Sequence, residues 1–143
     1  MQVRKVKFLL IVVLVVMLSS GVFAQVQGIP VDIPGTGVNF FLYRYEGNAA
    51  PHDKVNTIWA NLSNAFAQWV DAGQKPQALS GKDVQIKTNS SGSVSIYVKE
   101  QFIVEVDQYH AKVNKATPAQ LAEKWAANLR KGVDTFVTIN EAK

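Results

Sequence analysis

Glu105, Asp107 and His110 fall close together in the run Glu105-Val-Asp-Gln-Tyr-His110. Two carboxylates and an imidazole at this spacing can offer oxygen and nitrogen ligands to a divalent metal, or an acid and a base to a small hydrolase. A polar strand end facing water produces the same residue types, so the run defines a candidate metal or polar site. The second histidine, His52, lies in the first turn of an expected helix, where an exposed position accounts for it. The chain has no cysteine, which removes thiolate zinc sites, disulfides and cysteine nucleophiles together. Gly35-Thr36-Gly37 lacks the lysine and the strand-to-helix setting of a phosphate-binding loop and reads as a turn. No pattern calls for a cofactor.

Aromatic residues form the second candidate set. Trp59, Phe66, Trp69 and Trp125 fall at helical spacing and belong to a core stripe. Tyr43, Tyr45, Tyr97 and Tyr109 lie elsewhere. Tyr97 alternates with Val94, Ile96 and Val98, and the same alternation puts Ile103 opposite Phe102, Val104 and Val106. Tyr97 and Ile103 on an open sheet face would make a small apolar patch, and with Tyr43 and Tyr45 they form the candidate partner surface.

These residues are positioned by a single small domain. Arg4, Lys5 and Lys7 precede the apolar run Phe8 to Met17 and the small-residue exit Val22-Phe23-Ala24. A basic start, an apolar stretch of about ten residues and a small-x-small end predict a signal peptide over residues 1–24, cleaved at about Ala24-Gln25, since spanning a bilayer takes roughly 20 apolar residues. Loss of the leader reduces 15 basic residues to 12 against 11 acidic ones, a mature charge of about +1. The remaining lysines are dispersed, which argues against nucleic acid as a partner. The mature form is expected to be exported, periplasmic or extracellular, and not membrane-spanning.

Residues 25–37, rich in glycine and proline, predict an extended lead-in, with Val31-Asp32-Ile33 as a short strand. A single α+β domain over residues 38–139 and a polar tail over 140–143 follow. Val38 to Tyr45 is an aromatic strand. Pro51 at the first helical position opens a helix to about Ala72, with Val55, Ile58, Leu62, Phe66 and Trp69 on one stripe and Gly73 as its stop. Val84-Ile86-Thr88, Val94-Ile96-Val98 and Phe102-Val104-Val106 alternate with polar residues as a three-strand meander. Thr117, Pro118 and Gln120 compose a capping box at the head of the last helix. Gly132 weakens that helix by about 1 kcal/mol against alanine, and Thr135 to Ile139 reads as helix or as a short strand.

The run from Phe102 to Arg130, with its Thr117-Pro118 cap and Leu121-Ala-Glu-Lys-Trp125, resembles the end of the exported domain that precedes the membrane region in some bacterial small-conductance mechanosensitive channel homologues. His110-Ala111 stands where that pattern has Asp-Ala, and Asp53-Lys54-Val55 where it has an acidic-Arg-Ala start. The resemblance implies an extracytoplasmic setting and a free-standing copy of the accessory domain. It brings no catalytic residues and no channel activity.

The expectation is an α+β fold in the order β-α-β-β-β-α: one antiparallel sheet of about four strands with both helices on one face. The function expected is non-catalytic binding or sensing in the bacterial cell envelope, with an envelope protein or small ligand as partner. Self-association through strand edges is the first alternative, and a small hydrolase or metal-binding protein using Asp107 and His110 the second.

Overall fold

The computed structural model describes residues 24–143; apart from Ala24, the expected leader lies outside the described residues. The fold is α+β. Two strands, β1 (Val26–Asp32) and β2 (Asn39–Glu46), lead into helix α1 (His52–Asp71). Strands β3 (Val84–Thr88), β4 (Val94–Val98) and β5 (Gln101–Val106) precede a six-residue helix, α2 (Gln108–Val113), and the long helix α3 (Pro118–Asn140).

The strands form two antiparallel sheets, β1-β2 and β3-β4-β5, where the sequence predicts one sheet of about four strands. Side chains from the helices explain the division, because they occupy backbone groups that a joining strand would need. On β2, the Phe40 carbonyl accepts from Asn128 Nδ2 at 3.0 Å and the Arg44 N–H donates to His110 Nε2 at 3.0 Å. On β5, the Ile103 carbonyl accepts from Asn61 Nδ2 at 3.0 Å.

Strand β1 occupies most of what the sequence marks as an extended lead-in. It pairs with β2 from Val26↔Glu46 to Asp32↔Asn39. Its Gly28 and Pro30 look like breakers, yet both are tolerated on a strand that pairs on one side only. Gly28 is required by packing: a Cβ there would lie 2.5 Å from Leu42 Cγ. The Gly35-Thr36-Gly37 segment is a turn, with Thr36 Oγ1 donating to the Ile33 carbonyl at 2.8 Å and accepting the Val38 N–H at 3.0 Å.

The core is one cluster, and α3 is its centre. This helix packs against β2, β3, β4 and β5, while α1 packs on β5 and β1 and reaches α3 through Phe66, stacked on Phe136 at 3.9 Å. The two helices therefore do not share one face of one sheet. Both halves of the capping box are present, Thr117 N–H to Gln120 Oε1 at 3.0 Å and Gln120 N–H to Thr117 Oγ1 at 3.2 Å. Pro51 sits at the N-cap of α1, one place before the first helical position, and Gly73 follows the helix end at φ +95°. Gly132 does not interrupt α3, and Thr135 to Ile139 is helix. With no cysteine, stability rests on packing, at about 1.5–3 kcal/mol for each large aliphatic side chain fully removed from water.

Candidate functional site

β5 carries a bulge that rearranges the predicted partner surface. Ile96 faces Val104 while Tyr97 faces Phe102, so Ile103 is the extra residue and the alternation slips there. Ile103 is consequently fully buried, and Phe102 takes the outer position beside Tyr97 with ring centroids 5.6 Å apart. The Lys87 ammonium lies 4.3 Å over the Tyr97 ring. The patch expected from Tyr97 and Ile103 is thus made by Tyr97 and Phe102. Tyr43 and Tyr45 lie on β2 in the other sheet, and the Tyr45 hydroxyl donates to Gln27 Oε1 at 3.1 Å.

The gap between the two sheets is a cleft of about 230 Å³, walled by β2, α1, β5 and α2 and reaching Trp125 of α3. Its apolar lining includes Phe41, Ile58, Ile103 and Trp125, with Phe41 and Trp125 stacked at 3.8 Å and 17°. Lys54, Glu105 and Asp107 supply its charged groups. A second cavity of about 310 Å³ adjoins it, sharing Tyr43, Lys54, Asp107 and His110 and adding Arg44, Tyr45, Glu46 and Tyr109. Glu105, Asp107, His110, Tyr43 and Ile103 are therefore brought to one cleft, Tyr45 lines its neighbour, and Tyr97 lines neither.

His110 is the core's one polar side chain among the described residues, 2% exposed. Asp107 caps α2: its Oδ1 accepts the His110 N–H at 2.7 Å and contacts His110 Nδ1 at 2.9 Å. Because Nε2 accepts from the Arg44 N–H, the ring proton must sit on Nδ1 and be donated to Asp107, which assigns a neutral tautomer. Phe41, Tyr43, Tyr109 and Trp125 meet the imidazole edge to face, with centroids 4.7–6.3 Å away. Both ring nitrogens are thus engaged within the protein. No group of three or more His, Asp or Glu residues that could hold a metal ion exists among the described residues, so Glu105, Asp107 and His110 share a cleft without forming a ligand set. His52 is exposed.

Two phenols beside this histidine are perturbed. Burial first, then the Asp107 carboxylate and Tyr109, raise the pKa of Tyr43 above the ordinary tyrosine value. Burial first and the Glu46 carboxylate next raise that of Tyr109, with Arg44 opposing and Asp107 adding. Among the described residues the Tyr109 hydroxyl is shielded from solvent and meets no partner at hydrogen-bond geometry.

Sequence reasoning passed over Lys54, Thr57, Asn61 and Phe41 as cleft residues. Lys54, Thr57 and Asn61 lie on successive turns of α1, but nothing in that spacing distinguishes a cleft wall from a solvated helix face. Phe40-Phe41 did carry a signal, since two adjacent buried aromatics cannot both point inward from a regular strand. The irregular pairing between Val31 and Asp32 lets both be buried.

These features define a small α+β domain whose aromatic cleft opens between two antiparallel sheets. Residues 38–136 match the family model described as a domain of unknown function, DUF8459, and the chain belongs to that family. No curated protein and no solved structure matches the chain. No helix among the described residues is long and apolar enough to cross a membrane.

Proposed function

We propose that this chain is a non-catalytic binding or sensing module of the bacterial cell envelope, exported by its first 24 residues, and that the cleft between β2, α1 and β5 is its binding site. The observation carrying this reading is an open cleft whose floor is the buried Phe41–Trp125 pair with Ile58 and whose edge is charged. A largely apolar concavity with a few polar groups at its edge is the usual form of a small-molecule site. The engaged state of both His110 nitrogens supports binding over chemistry, because proton transfer at Nε2 would require Arg44 to give up its hydrogen bond. The resemblance of Phe102 to Arg130 to channel accessory domains supports the extracytoplasmic setting and rests on sequence.

The reading is tested by titrating the isotopically labelled protein with toluene, an uncharged probe, and following amide and side-chain resonances by NMR. Shifts confined to Asn61, Ile103, Trp125 and their neighbours support it. Saturating toluene without shifts there refutes the cleft as a site for uncharged apolar ligands, and the binding reading falls if charged aromatic probes also leave it unshifted. Export is tested separately by fractionating cells that express the full chain; recovery in the cytoplasm with residues 1–24 intact would refute it.

Self-association through strand edges is favoured by one observation: β1 and β3 each pair on one side only. Pro30 within β1 and Lys87 on β3 blunt those edges, which places this reading second.

A further inference from the structure

Resting on the binding role of the cleft, we infer that its ligand is a zwitterion with a large apolar side chain, of the chemical class of an apolar α-amino acid. Three charged groups at the cleft are left with unused bonding capacity. Lys54 and Glu105 both line the cleft, one from α1 and the other from β5, and neither makes an ion pair among the described residues. Asp107 accepts both of its hydrogen bonds on Oδ1, which leaves Oδ2 available at the junction with the neighbouring cavity. A cation and two carboxylates therefore edge one apolar cavity without neutralising one another at contact distance.

This arrangement discriminates among ligand classes. A purely apolar ligand would satisfy the aromatic surface and leave both signs of charge unanswered. An amine alone would meet the carboxylates but approach Lys54 unfavourably, and a carboxylic acid would do the reverse. A molecule carrying ammonium and carboxylate on the carbon that bears its apolar group meets all three requirements, with the carboxylate toward Lys54, the ammonium toward Glu105 and Asp107 Oδ2, and the side chain against the buried rings of Phe41 and Trp125 where they border the cleft. The exposed face of Phe102 at the same edge adds a ring surface favourable to the ammonium.

The test compares four probes on the labelled full chain: toluene, 2-phenylethylamine, 3-phenylpropanoate and L-phenylalanine, with dissociation constants taken from cleft resonances. L-phenylalanine is expected to bind best, each one-charge analogue roughly tenfold more weakly, and the preference should shrink as salt is raised. Lys54→Met should abolish the advantage of L-phenylalanine over 2-phenylethylamine, and Glu105→Gln should reduce its advantage over 3-phenylpropanoate. Both side chains are exposed, so unchanged thermal melts will show that the variants remain folded. If toluene shifts the cleft while L-phenylalanine binds no better than either analogue, the zwitterion inference is overturned and the cleft stands as a site. If none of the four shifts the cleft, the binding role falls with it.

Discussion

Gly132 in the middle of α3 offers a quantitative test of how the β1-β2 hairpin is seated. Replacing a solvent-exposed mid-helix glycine by alanine would stabilise the protein by about 1 kcal/mol. Here the new Cβ would lie 1.9 Å from Ile33 Cδ1, 3.0 Å from Cγ1 and 3.2 Å from Cβ. Ile33 is 1% exposed, so its side chain cannot relieve the contact by swinging into solvent. Forcing an extra methyl into such a contact costs about 1–3 kcal/mol, which exceeds the propensity gain over most of that range. Gly132→Ala is therefore expected to lower stability by about 1 kcal/mol net, a fall in Tm of about 4 °C for a domain of this size.

A second substitution separates this contact from any general intolerance of α3. Ile33→Val deletes Cδ1 and alone should cost about 0.5–1.5 kcal/mol. In the double variant the closest clash is gone and the helix gains from alanine, so the pair should be less destabilised than the sum of the singles by about 1–2 kcal/mol. Equilibrium urea unfolding of the four proteins measures the cycle. Stabilisation by Gly132→Ala alone, or additivity within about 0.5 kcal/mol, would refute the close seating of Ile33 on the helix.

Three further outcomes are expected. His110→Phe keeps the ring packing but strands the Arg44 N–H, while Asp107 stays half exposed and keeps its bond to the backbone N–H of residue 110, and should cost about 1–3 kcal/mol in urea unfolding; a change below about 0.5 kcal/mol would show that the β2–α2 tie is unimportant. The Tyr43 phenol, its pKa raised by burial and then by Asp107, should ionise above the ordinary tyrosine range in a spectrophotometric titration differenced against Tyr43→Phe, and Asp107→Asn should lower it part of the way, leaving the contribution of burial. Its contribution to stability is present below the unfolded tyrosine pKa and is lost as pH rises through the raised folded value, so an alkaline melt series in which Tyr43→Phe loses stability as steeply as the parent would contradict this. Thr117→Ala removes half of the capping box and should cost about 1 kcal/mol, read as a lowered Tm, whereas Thr117→Ser should nearly restore it.

Much of this fold is legible in sequence where the cause is local. Thr117-Pro118-Gln120 announces the head of α3 because capping involves residues three apart, and the alternation of Val84, Ile86, Val94 and Ile96 announces strands because side chains switch faces at every residue. Reading fails where a distant partner decides. Gly28 and Pro30 look like punctuation until Leu42 and the edge position of β1 are known. Ile103 alternates outward on paper, but a bulge against β4 turns it into the core. The six residues of α2 are too few to show a helical period, although Asp107 at its N-cap is a local sign that could have been weighed. The Asp107–His110 neighbourhood was visible as polar chemistry close to a strand; the backbone N–H of Arg44, which changes what the imidazole can do, comes from 66 residues away.

The division of the sheet and the existence of the cleft have one physical origin. A strand edge carries unpaired donors and acceptors, and joining β2 to β5 would be the simplest way to satisfy them. Asn61, His110 and Asn128 satisfy three of those groups with side chains instead, each projecting from a helix onto a strand edge. With these groups occupied, β2 and β5 are held apart, and the space between them is the cleft, with the buried rings of Phe41 and Trp125 at its floor. Leucine at position 61 or 128 would return one carbonyl to the edge unpaired and leave it available to another strand. The polar residues that look least catalytic therefore shape the cleft: they keep two sheets from becoming one, and the buried His110 serves as such a cap while its carboxylate partner keeps one oxygen free at the edge of the cleft.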